Sequence, residues 1–472
     1  MSLLASFMVP HPPLIVPEVG RGGEKQVEKT IASYERVADE IAALKPDTII
    51  ITSPHQTMYG DYFHISPGKR AKGSFKKFGV PGVAFSEEYD DELVDKIEEL
   101  ADYCHFPCGT LGEEDSSLDH GTMVPLWFIR NKYKGGKIVR IGLSGLPLTK
   151  HYELGMMIDS AIEALGRKAV FVASGDLSHK LQDYGPYGFA KEGPEYDARI
   201  MDVMGRAAFD ELFDFSESFC DKAAECGHRS FVIMAGAWDR KKVRTEVLSH
   251  EDVTGVGYGI CTFYPEEGDY PERRFLKRYL MKNQEELKVK REASDIYVRL
   301  ARLSIETYIR EGRRLVIPDD LLKIAQKDDV PFDLLNAHNG AFVSIHKYGK
   351  LRGCIGTISA CAPNLAEEIS RNAVSASTRD PRFDPITEDE LDALEINVDV
   401  LSVAVDIDSP DKLDVKRFGV IVSAKDGRRG LLLPDLDGVD TVEDQISIAM
   451  QKGGIRPGED YKLQRFEVIR HV

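Results

Sequence analysis

Histidines recur at the ends of apolar runs in the first half of the chain. They are His11 in "FMVPHPP", His55 in "ITSPHQT", His120 in "LDHGTMVPL" and His179 in "SGDLSHKL". Histidine is the commonest metal ligand in proteins and a natural general base near neutral pH. Because open α/β sheets bind ligands at the carboxyl ends of their strands, this pattern predicts a polar site at one sheet edge.

A carboxylate in "ECGHRS" offers a third ligand beside two of these histidines. Two imidazoles and one carboxylate on one face of a ferrous ion leave positions open for oxygen and for a substrate. His11, His55 and Glu225 can supply that set. The residue types are therefore compatible with a non-haem Fe(II) site, and a polar cleft without metal is the alternative interpretation.

Two further histidines and one aspartate can handle protons in such a site. A catechol that binds iron has to lose a phenolic proton, and a neutral histidine suits that task near pH 7. His179 and His120 are the expected proton-handling residues. Asp176 either orients the His179 ring or caps the segment that follows it, and both interpretations stay open.

Alternating helical and β-prone runs predict the elements that position these residues. Apolar residues recur at helical spacing from 23 to 44, and "TIIITSPH" then predicts a buried strand that ends near His55. The runs "KIVRIGLSG", "KAVFVASGD" and "GVGYGICTFY" predict further strands, with a helix between the first two at 152–165. We therefore expect an α/β domain at 1–265, in which helices flank a central sheet.

A charged stretch at 266–290 contains no β-prone run and is interpreted as a partly helical connection between domains. The helical pattern "ASDIYVRLARLSIETYI" follows it. The β-prone runs "GAFVSIHKYG", "LEINVDVLSVAVDI", "FGVIVSA" and "RGLLLPD" come later, among helical segments. A second domain, of α+β class, is therefore predicted at 291–472.

The composition is that of a globular protein with more than one domain. The chain has 472 residues, of which 42% are hydrophobic and 29% charged. Its formal net charge of −17 argues against nucleic acid or an anionic membrane as the main partner. Neither a membrane-spanning run nor a secretory signal is recognised in the sequence, so we expect a cytoplasmic protein.

The motifs "PHPP", "SPH", "DHG…PL" and "SGDLSH" resemble those of the LigB-like class III extradiol dioxygenases and of the related Memo proteins. The resemblance covers residues 1–265 and implies non-haem iron at one edge of the sheet. By motif, His11 and His55 match the two metal-binding histidines. His179 matches the acid/base histidine of the family, and His120 matches a histidine on the substrate side.

The same resemblance leaves the third ligand open between two neighbouring residues. The dioxygenases use a glutamate, whereas Memo-like proteins have a cysteine before a glycine, and this chain has both in Glu225 and Cys226. A carboxylate favours oxygen chemistry on iron, and a thiolate favours copper(I) or zinc. Glu225 with Fe(II) is the expectation, and Cys226 with zinc or copper is the alternative.

The string "LRGCIGT" is the most distinctive motif of the second half. Together with "SASTRDPRFDPIT" and "RGLLLP" it resembles the AMMECR-type domain over 291–472. Genes for AMMECR-type, Memo-type and radical-SAM proteins occur as a set, the AmmeMemoRadiSam system. The chain resembles a fusion of the first two.

Four polar residues of the second half are candidates for a groove: Arg352, Cys354, Arg379 and Asp380. Arg352 can grip an anion, and Cys354 can act as a nucleophile if a base such as His346 reaches it. In the alternative interpretation Cys354 is a small buried residue in a β-turn and Arg352 is a structural anchor.

Three functions are consistent with these features. The first is an extradiol-type dioxygenase or related oxidoreductase that acts on a small, catechol-like molecule. The second is a non-catalytic scaffold that works with a radical-SAM protein. The third keeps the metal but modifies a small molecule or peptide in another way. A homo-oligomer is compatible with each of them.

Overall fold

The computed structural model describes residues 2–114, 117–325, 330–436 and 438–472. The chain divides into two compact units, Met1–Leu280 and Met281–Val472. The division falls inside a helix, Phe275–Ala293, so much of the predicted connection at 266–290 is helical.

The strands of the first unit are Leu3–Val9 (β1), Thr48–Ser53 (β2), Phe63–His64 (β3), Arg70–Phe75 (β4), Val80–Glu88 (β5), Cys108–Gly109 (β6), Lys137–Gly142 (β7), Ala169–Ser174 (β8), Val243–Glu251 (β9) and Tyr258–Pro265 (β10). Its α-helices are Pro17–Gly20 (α1), Glu28–Leu44 (α2), Asp91–Tyr103 (α3), His120–Lys132 (α4), Leu148–Leu165 (α5), Glu192–Arg206 (α6), Glu217–Ala223 (α7) and His228–Gly236 (α8). Phe275–Ala293 is α9. Short 3₁₀ helices lie at Pro13–Ile15, Gly23–Val27, Lys76–Phe78, Phe209–Asp214 and Pro271–Arg273.

A six-stranded sheet in the order β7-β2-β8-β1-β10-β9 forms the centre of this unit. β7, β2, β8 and β1 are mutually parallel, and β10 runs antiparallel to β1 and β9. Every residue of β2 and β8 is buried, as expected for parallel strands that are covered on both faces. Because these strands run in one direction, the segments after Val9, Ser53 and Ser174 all leave at the same edge.

Side-chain alternation along the strands builds a core on each face of the sheet. In β8, Phe171 packs into one core, while Val170 and Val172 pack into the other. Helices such as α5 and α8 cover the first face, and α2 and α4 cover the second. Each fully buried side chain of this kind contributes roughly 1.5–3 kcal/mol by leaving water, so this double core fixes the sheet edge firmly.

The strands of the second unit are Ala341–Lys347 (β11), Lys350–Gly356 (β12), Leu394–Leu401 (β13), Val405–Ile407 (β14), Phe418–Ala424 (β15), Arg429–Leu432 (β16) and Tyr461–His471 (β17). Its other α-helices are Ile296–Glu311 (α10), Asp319–Ile324 (α11), Phe332–Asn336 (α12), Leu365–Thr378 (α13) and Val442–Lys452 (α14), and 3₁₀ helices lie at Glu388–Ala393 and Pro410–Lys412. An antiparallel sheet in the order β12-β11-β13-β17-β15-β16 packs against α10 and α13, and β14 pairs with β17.

The string "LRGCIG" lies in the strand β12. The β-turn that the sequence analysis offered for Cys354 was therefore wrong. Gly353 is needed there because a Cβ at this position would lie 2.2 Å from the carbonyl oxygen of Ala376 in α13. The glycine thus serves close packing between strand and helix. An α/β unit followed by an α+β unit confirms the predicted fold class.

No helix in the described ranges combines the length and the apolar character that a membrane crossing requires.

Candidate metal centre

The predicted site residues lie at the edge where the parallel strands end. His11 follows β1, His55 follows β2, and Asp176 and His179 follow β8. β8 lies between β1 and β2 in the sheet, so the three segments leave side by side. His120 is the first residue of α4, and two helices reach this edge: α4 through His120 and α8 through the loop before it.

Three donor atoms converge there. The Nε2 atoms of His11 and His55 lie 3.0 Å apart, and Sγ of Cys226 lies 3.7 Å from Nε2 of His11. All three donor atoms fall within 4.8 Å of one another. Around one tetrahedral ion of zinc size, two nitrogens would stand about 3.3 Å apart and sulfur and nitrogen about 3.6 Å apart. The observed spacings fit a shared metal ion with small adjustments.

Cys226, the alternative third ligand, occupies the place expected for Glu225. The Glu225 carboxylate instead accepts a hydrogen bond of 2.6 Å from the backbone N–H of His228, the first residue of α8. A carboxylate at this position satisfies an unpaired N–H group at the helix start. Neighbouring side chains diverge, so Glu225 caps the helix while Cys226 faces the histidines.

Two backbone contacts hold Cys226 in this position. The N–H of Asp176 donates to Sγ of Cys226 at 3.3 Å, and the N–H of Cys226 donates to the carbonyl of Asp176 at 3.4 Å. Burial, with the nearby Asp176 and Glu225, raises the pKa of the Cys226 thiol well above its ordinary value. Because a thiolate there needs a neighbouring cation, this environment suits a metal ligand better than a free nucleophile.

His11 is the most buried member of the cluster, with 1% of its surface exposed. Burial, followed by the proximity of His55, lowers the pKa of His11 from 6.5 to about 3. The ring is therefore neutral at pH 7, which is the form that binds metal. Its Nδ1 lies 2.9 Å from Oγ of Ser174. His55 is solvent-exposed, so the cluster is open to solvent on that side.

Asp176 contacts the main chain of His11. Its Oδ1 accepts a hydrogen bond of 2.7 Å from the His11 backbone N–H, and so ties the loop after β8 to the loop after β1. One of its carboxylate oxygens, a ring nitrogen of His179 and Sγ of Cys226 also lie within 4.8 Å of one another. The carboxylate thus positions a ligand segment and lies close to His179.

His179 has its protonation pattern set by a backbone carbonyl. Its Nδ1 lies within hydrogen-bond distance of the Ala224 oxygen, which can only accept, so Nδ1 carries a proton. In the neutral ring Nε2 then has a free lone pair. The ring of Tyr187 meets His179 edge-on, with 5.1 Å between centroids. This arrangement leaves His179 available as a base.

His120 packs directly on His55. Their ring centroids lie 3.9 Å apart with an angle of 31° between the ring planes. The centroid of the Phe78 ring lies 5.6 Å from that of His120. Burial, followed by the other two histidines, lowers the pKa of His120 to about 4. Asp119 caps α4 by accepting from the Thr122 N–H, and also accepts from Ser53 at 2.6 Å. His120 therefore supports the His55 ring as a neutral side chain.

Sequence reasoning missed the residues that orient these histidines. Ser174, Ser53 and Tyr187 contact the cluster but were not proposed. Ser174 lies directly at the end of β8, two residues before Asp176. A polar residue at that strand end could have been recognised in the sequence as a contact of the site. Ser53, whose hydroxyl accepts from the His55 backbone N–H, likewise ends its strand.

The groove candidates of the second unit make hydrogen bonds within that unit. Arg352 donates two hydrogen bonds to the Glu390 carboxylate and one to the Asp384 carbonyl, which makes it a structural anchor. Sγ of Cys354 lies 3.3 Å from Oγ of Ser344. His346 opposes Leu351 across the strands, two pairs along from the pair that Ser344 makes with Cys354.

Asp380 and Arg379 diverge within their loop. The Asp380 carboxylate accepts from the backbone N–H of Cys354 at 2.9 Å and pairs with Arg382 at 2.7 Å. Arg379 is exposed. Asp380 thus supports β12 through this backbone hydrogen bond, and Arg379 faces solvent.

Comparison with known proteins places both units. Residues 5–261 match the family model described as the catalytic LigB subunit of aromatic ring-opening dioxygenase, and residues 298–471 match that of AMMECR1. Protein CA_C1420 of Clostridium acetobutylicum is 40% identical over 479 residues, which cover 100% of this chain and 99% of that protein. A Thermotoga maritima protein is 47% identical over 177 residues, or 37% of this chain and 96% of its own length.

Two solved structures are also similar. The uncharacterized protein PH0010 from Pyrococcus horikoshii matches with 31% identity and a TM-score of 0.33, over 38% of this chain and 90% of its own. The uncharacterized protein JW3007 from Escherichia coli K12 matches with 15% identity and a TM-score of 0.38, over 55% of this chain and 99% of its own.

Proposed function

Because this chain belongs to the LigB family and carries an AMMECR1 domain after the LigB domain, we propose that it is a metal-dependent oxidoreductase. Its substrate is a small aromatic molecule that bears a hydroxyl group. The observation that carries this proposal is the convergence of His11, His55 and Cys226 beside His179.

The donor set bears on the choice of metal. A bound metal would supply Lewis-acid and redox chemistry at the three donor atoms. With Cys226 in place of a carboxylate the set is softer than two histidines and a glutamate, which supports copper over the iron expected from sequence. Zinc also suits a thiolate, but it has no redox chemistry, so the oxidoreductase proposal needs copper or iron.

His179 acts as the general base in this proposal. Its Nδ1 proton is engaged by the Ala224 carbonyl, so the proton of a substrate hydroxyl would pass to Nε2. A positioned base of this kind contributes typically about 10²–10⁴-fold to a rate. The ionised oxygen that results is the form of substrate that binds a metal.

The surroundings of His179 suit a flat substrate. Tyr187 lies edge-on to the His179 ring, and Tyr184 and Phe189 on the same loop expose more than half of their surface. Exposed aromatic side chains supply apolar contact area for another ring. Ring opening, the activity in the description of the family model, is the specific reaction that we propose for such a substrate.

Metal analysis tests this function. The protein is purified without oxygen or chelators, and its metals are measured by mass spectrometry. About one redox-capable ion per chain is expected, and it should be lost in His11→Ala, His55→Ala and Cys226→Ala. Glu225→Gln keeps an oxygen for the His228 N–H and is the matched control that should retain metal.

Oxygen consumption with a panel of catechols then tests turnover of the loaded protein. A chain that binds no metal, before or after reconstitution with copper(I) and iron(II), contradicts the proposal. A chain that retains its metal in Cys226→Ala and loses it in Glu225→Gln overturns the proposed donor set.

A further inference from the structure

Ser174 is a fully buried serine that joins a metal-site histidine to a helix. It is the last residue of β8, with 0% of its surface exposed. Its Oγ lies 2.9 Å from Nδ1 of His11 and 2.6 Å from the carbonyl oxygen of Gly121 in α4. One hydroxyl therefore has two partners, and it has a single proton to give.

A proline explains why the Gly121 carbonyl needs that proton. In a regular helix this carbonyl would accept from the N–H of the residue four positions later. That residue is Pro125, inside α4, and proline has no N–H. The Ser174 hydroxyl takes the place of the missing donor.

The direction of the Ser174 proton follows from these distances. If the hydroxyl pointed at His11, two oxygens with no proton between them would face each other at 2.6 Å, which is repulsive. With the proton on the Gly121 side, Oγ presents only lone pairs to His11. Nδ1 of His11 must then be the donor of the bond of 2.9 Å.

We propose that Ser174 is a positioning residue that fixes His11 in the Nδ1–H tautomer and so leaves the Nε2 lone pair facing His55 and Cys226. The assignment of Nε2 as a metal donor rests on the proposed function, whereas the tautomer does not. An unconstrained neutral histidine carries its proton mainly on Nε2, so without Ser174 the ring would have to change tautomer before binding metal. Partners of this kind commonly change metal affinity by about 10–100-fold.

Zinc affinity tests the proposal, with zinc as a probe that needs no control of oxidation state. Chelator competition gives the affinities of the whole protein and of Ser174→Ala, which should bind zinc about 10–100-fold more weakly. Ser6→Ala is the matched control. Ser6 is a buried serine of the same sheet, and its hydroxyl oxygen accepts a hydrogen bond of 2.9 Å from the ring N–H of Trp238. Ser6→Ala therefore also leaves a ring N–H without its hydrogen-bond acceptor, but away from the cluster.

The same substitution in the His11→Ala variant distinguishes an effect that acts through His11 from a general effect on the fold. In His11→Ala the donors His55 and Cys226 remain, so a weaker zinc affinity can be measured at higher free zinc. If Ser174 acts through His11, then Ser174→Ala should change that residual affinity less than about threefold. An unchanged affinity of Ser174→Ala in the natural background, or an equal loss in the His11→Ala background, overturns the proposal.

The tautomer itself is read in the metal-free protein. Spectra of ¹⁵N-labelled histidine, with the His11 signal assigned by its loss in His11→Ala, should show a proton on Nδ1, and in Ser174→Ala a shift toward Nε2. A proton on Nε2 of His11 in the unsubstituted protein overturns the proposal. A protein that binds no metal but shows the Nδ1–H signal contradicts the proposed function alone.

Discussion

Gly175 and Gly227 touch backbone to backbone: a Cβ added to Gly175 would lie 2.1 Å from the Cα of Gly227. This contact brings the loop after β8 against the loop before α8. It lets the N–H of Asp176 reach Sγ of Cys226. The third donor of the site thus depends on two residues without side chains.

Gly175→Ala should therefore separate Cys226 from the two histidines. The backbone has to move because the added methyl group meets main-chain atoms, and we expect a loss of roughly 1–3 kcal/mol of stability together with weaker zinc binding. Denaturant unfolding and chelator competition measure the two effects. Gly82→Ala, where nothing lies within 4 Å of the new Cβ, is the control. Zinc binding equal to that of the control would refute the role of the contact.

His179→Ala should retain the metal and lose turnover. The imidazole is close to the cluster but is not one of the three converging donors, and its base function contributes about 10²-fold or more. Metal analysis and oxygen uptake with a substrate found in the catechol panel give the two readouts. Undiminished turnover would rule out His179 as the base.

Cys226→Asp should shift the metal preference toward iron. It replaces the thiolate by a hard carboxylate beside His11 and His55, which gives the two-histidine, one-carboxylate set of non-haem iron sites. Competition between iron(II) and copper(I) should show the preference for iron rising by about tenfold or more. Glu225→Gln should leave it unchanged, and an equal ratio in all three proteins would count against Cys226 as a ligand.

Acid should destabilise the second unit through Glu390. Burial alone would raise the pKa of this carboxyl, but hydrogen bonds from Arg352 and Lys347 outweigh it and lower the pKa from 4.5 to about 2. A depressed pKa in the folded state gives stability that is present above about pH 4.5 and is lost as the pH falls toward about 2. The contribution is at most roughly 3 kcal/mol.

Unfolding in denaturant at about pH 6 and about pH 3 measures this effect. Glu390→Gln should be less stable than the unsubstituted protein at the higher pH and should lose less stability on acidification. Glu388→Gln, in the same 3₁₀ helix but largely exposed, is the control. Equal acid sensitivity of the Glu390 variant and the unsubstituted protein would contradict the role of this ion pair.

Much of the fold follows from local patterns in the sequence. Buried β-branched runs such as Ile49–Ile51 predict parallel strands, and a histidine after such a run is thereby placed at a known edge. The motif strand β12 was not predicted, because glycines at 353 and 356 weaken its β pattern. They are there for close packing against α13 and Phe342, which only the tertiary structure shows.

The convergence of the histidines at one sheet edge could be predicted from the sequence, and which of Glu225 and Cys226 faces them could not. Both Glu225 and Cys226 carry suitable atoms, and which of them faces His11 depends on a backbone contact between residues 52 positions apart in the chain. The role of Ser174 is nonlocal in the same way, because it joins a strand end to a helix carbonyl left free by Pro125.

The donors that meet at the sheet edge come from distant parts of the chain, and Cys226 and His11 are 215 residues apart. An ion held between them would close most of the first unit into a ring, as a reversible cross-link. Closing a loop of this length removes conformational entropy from the unfolded chain, and an ion that binds only the folded state stabilises it further with rising free concentration. The free energy of unfolding of the first unit would then rise with the supply of its metal, and scarcity would lower its stability as well as its activity.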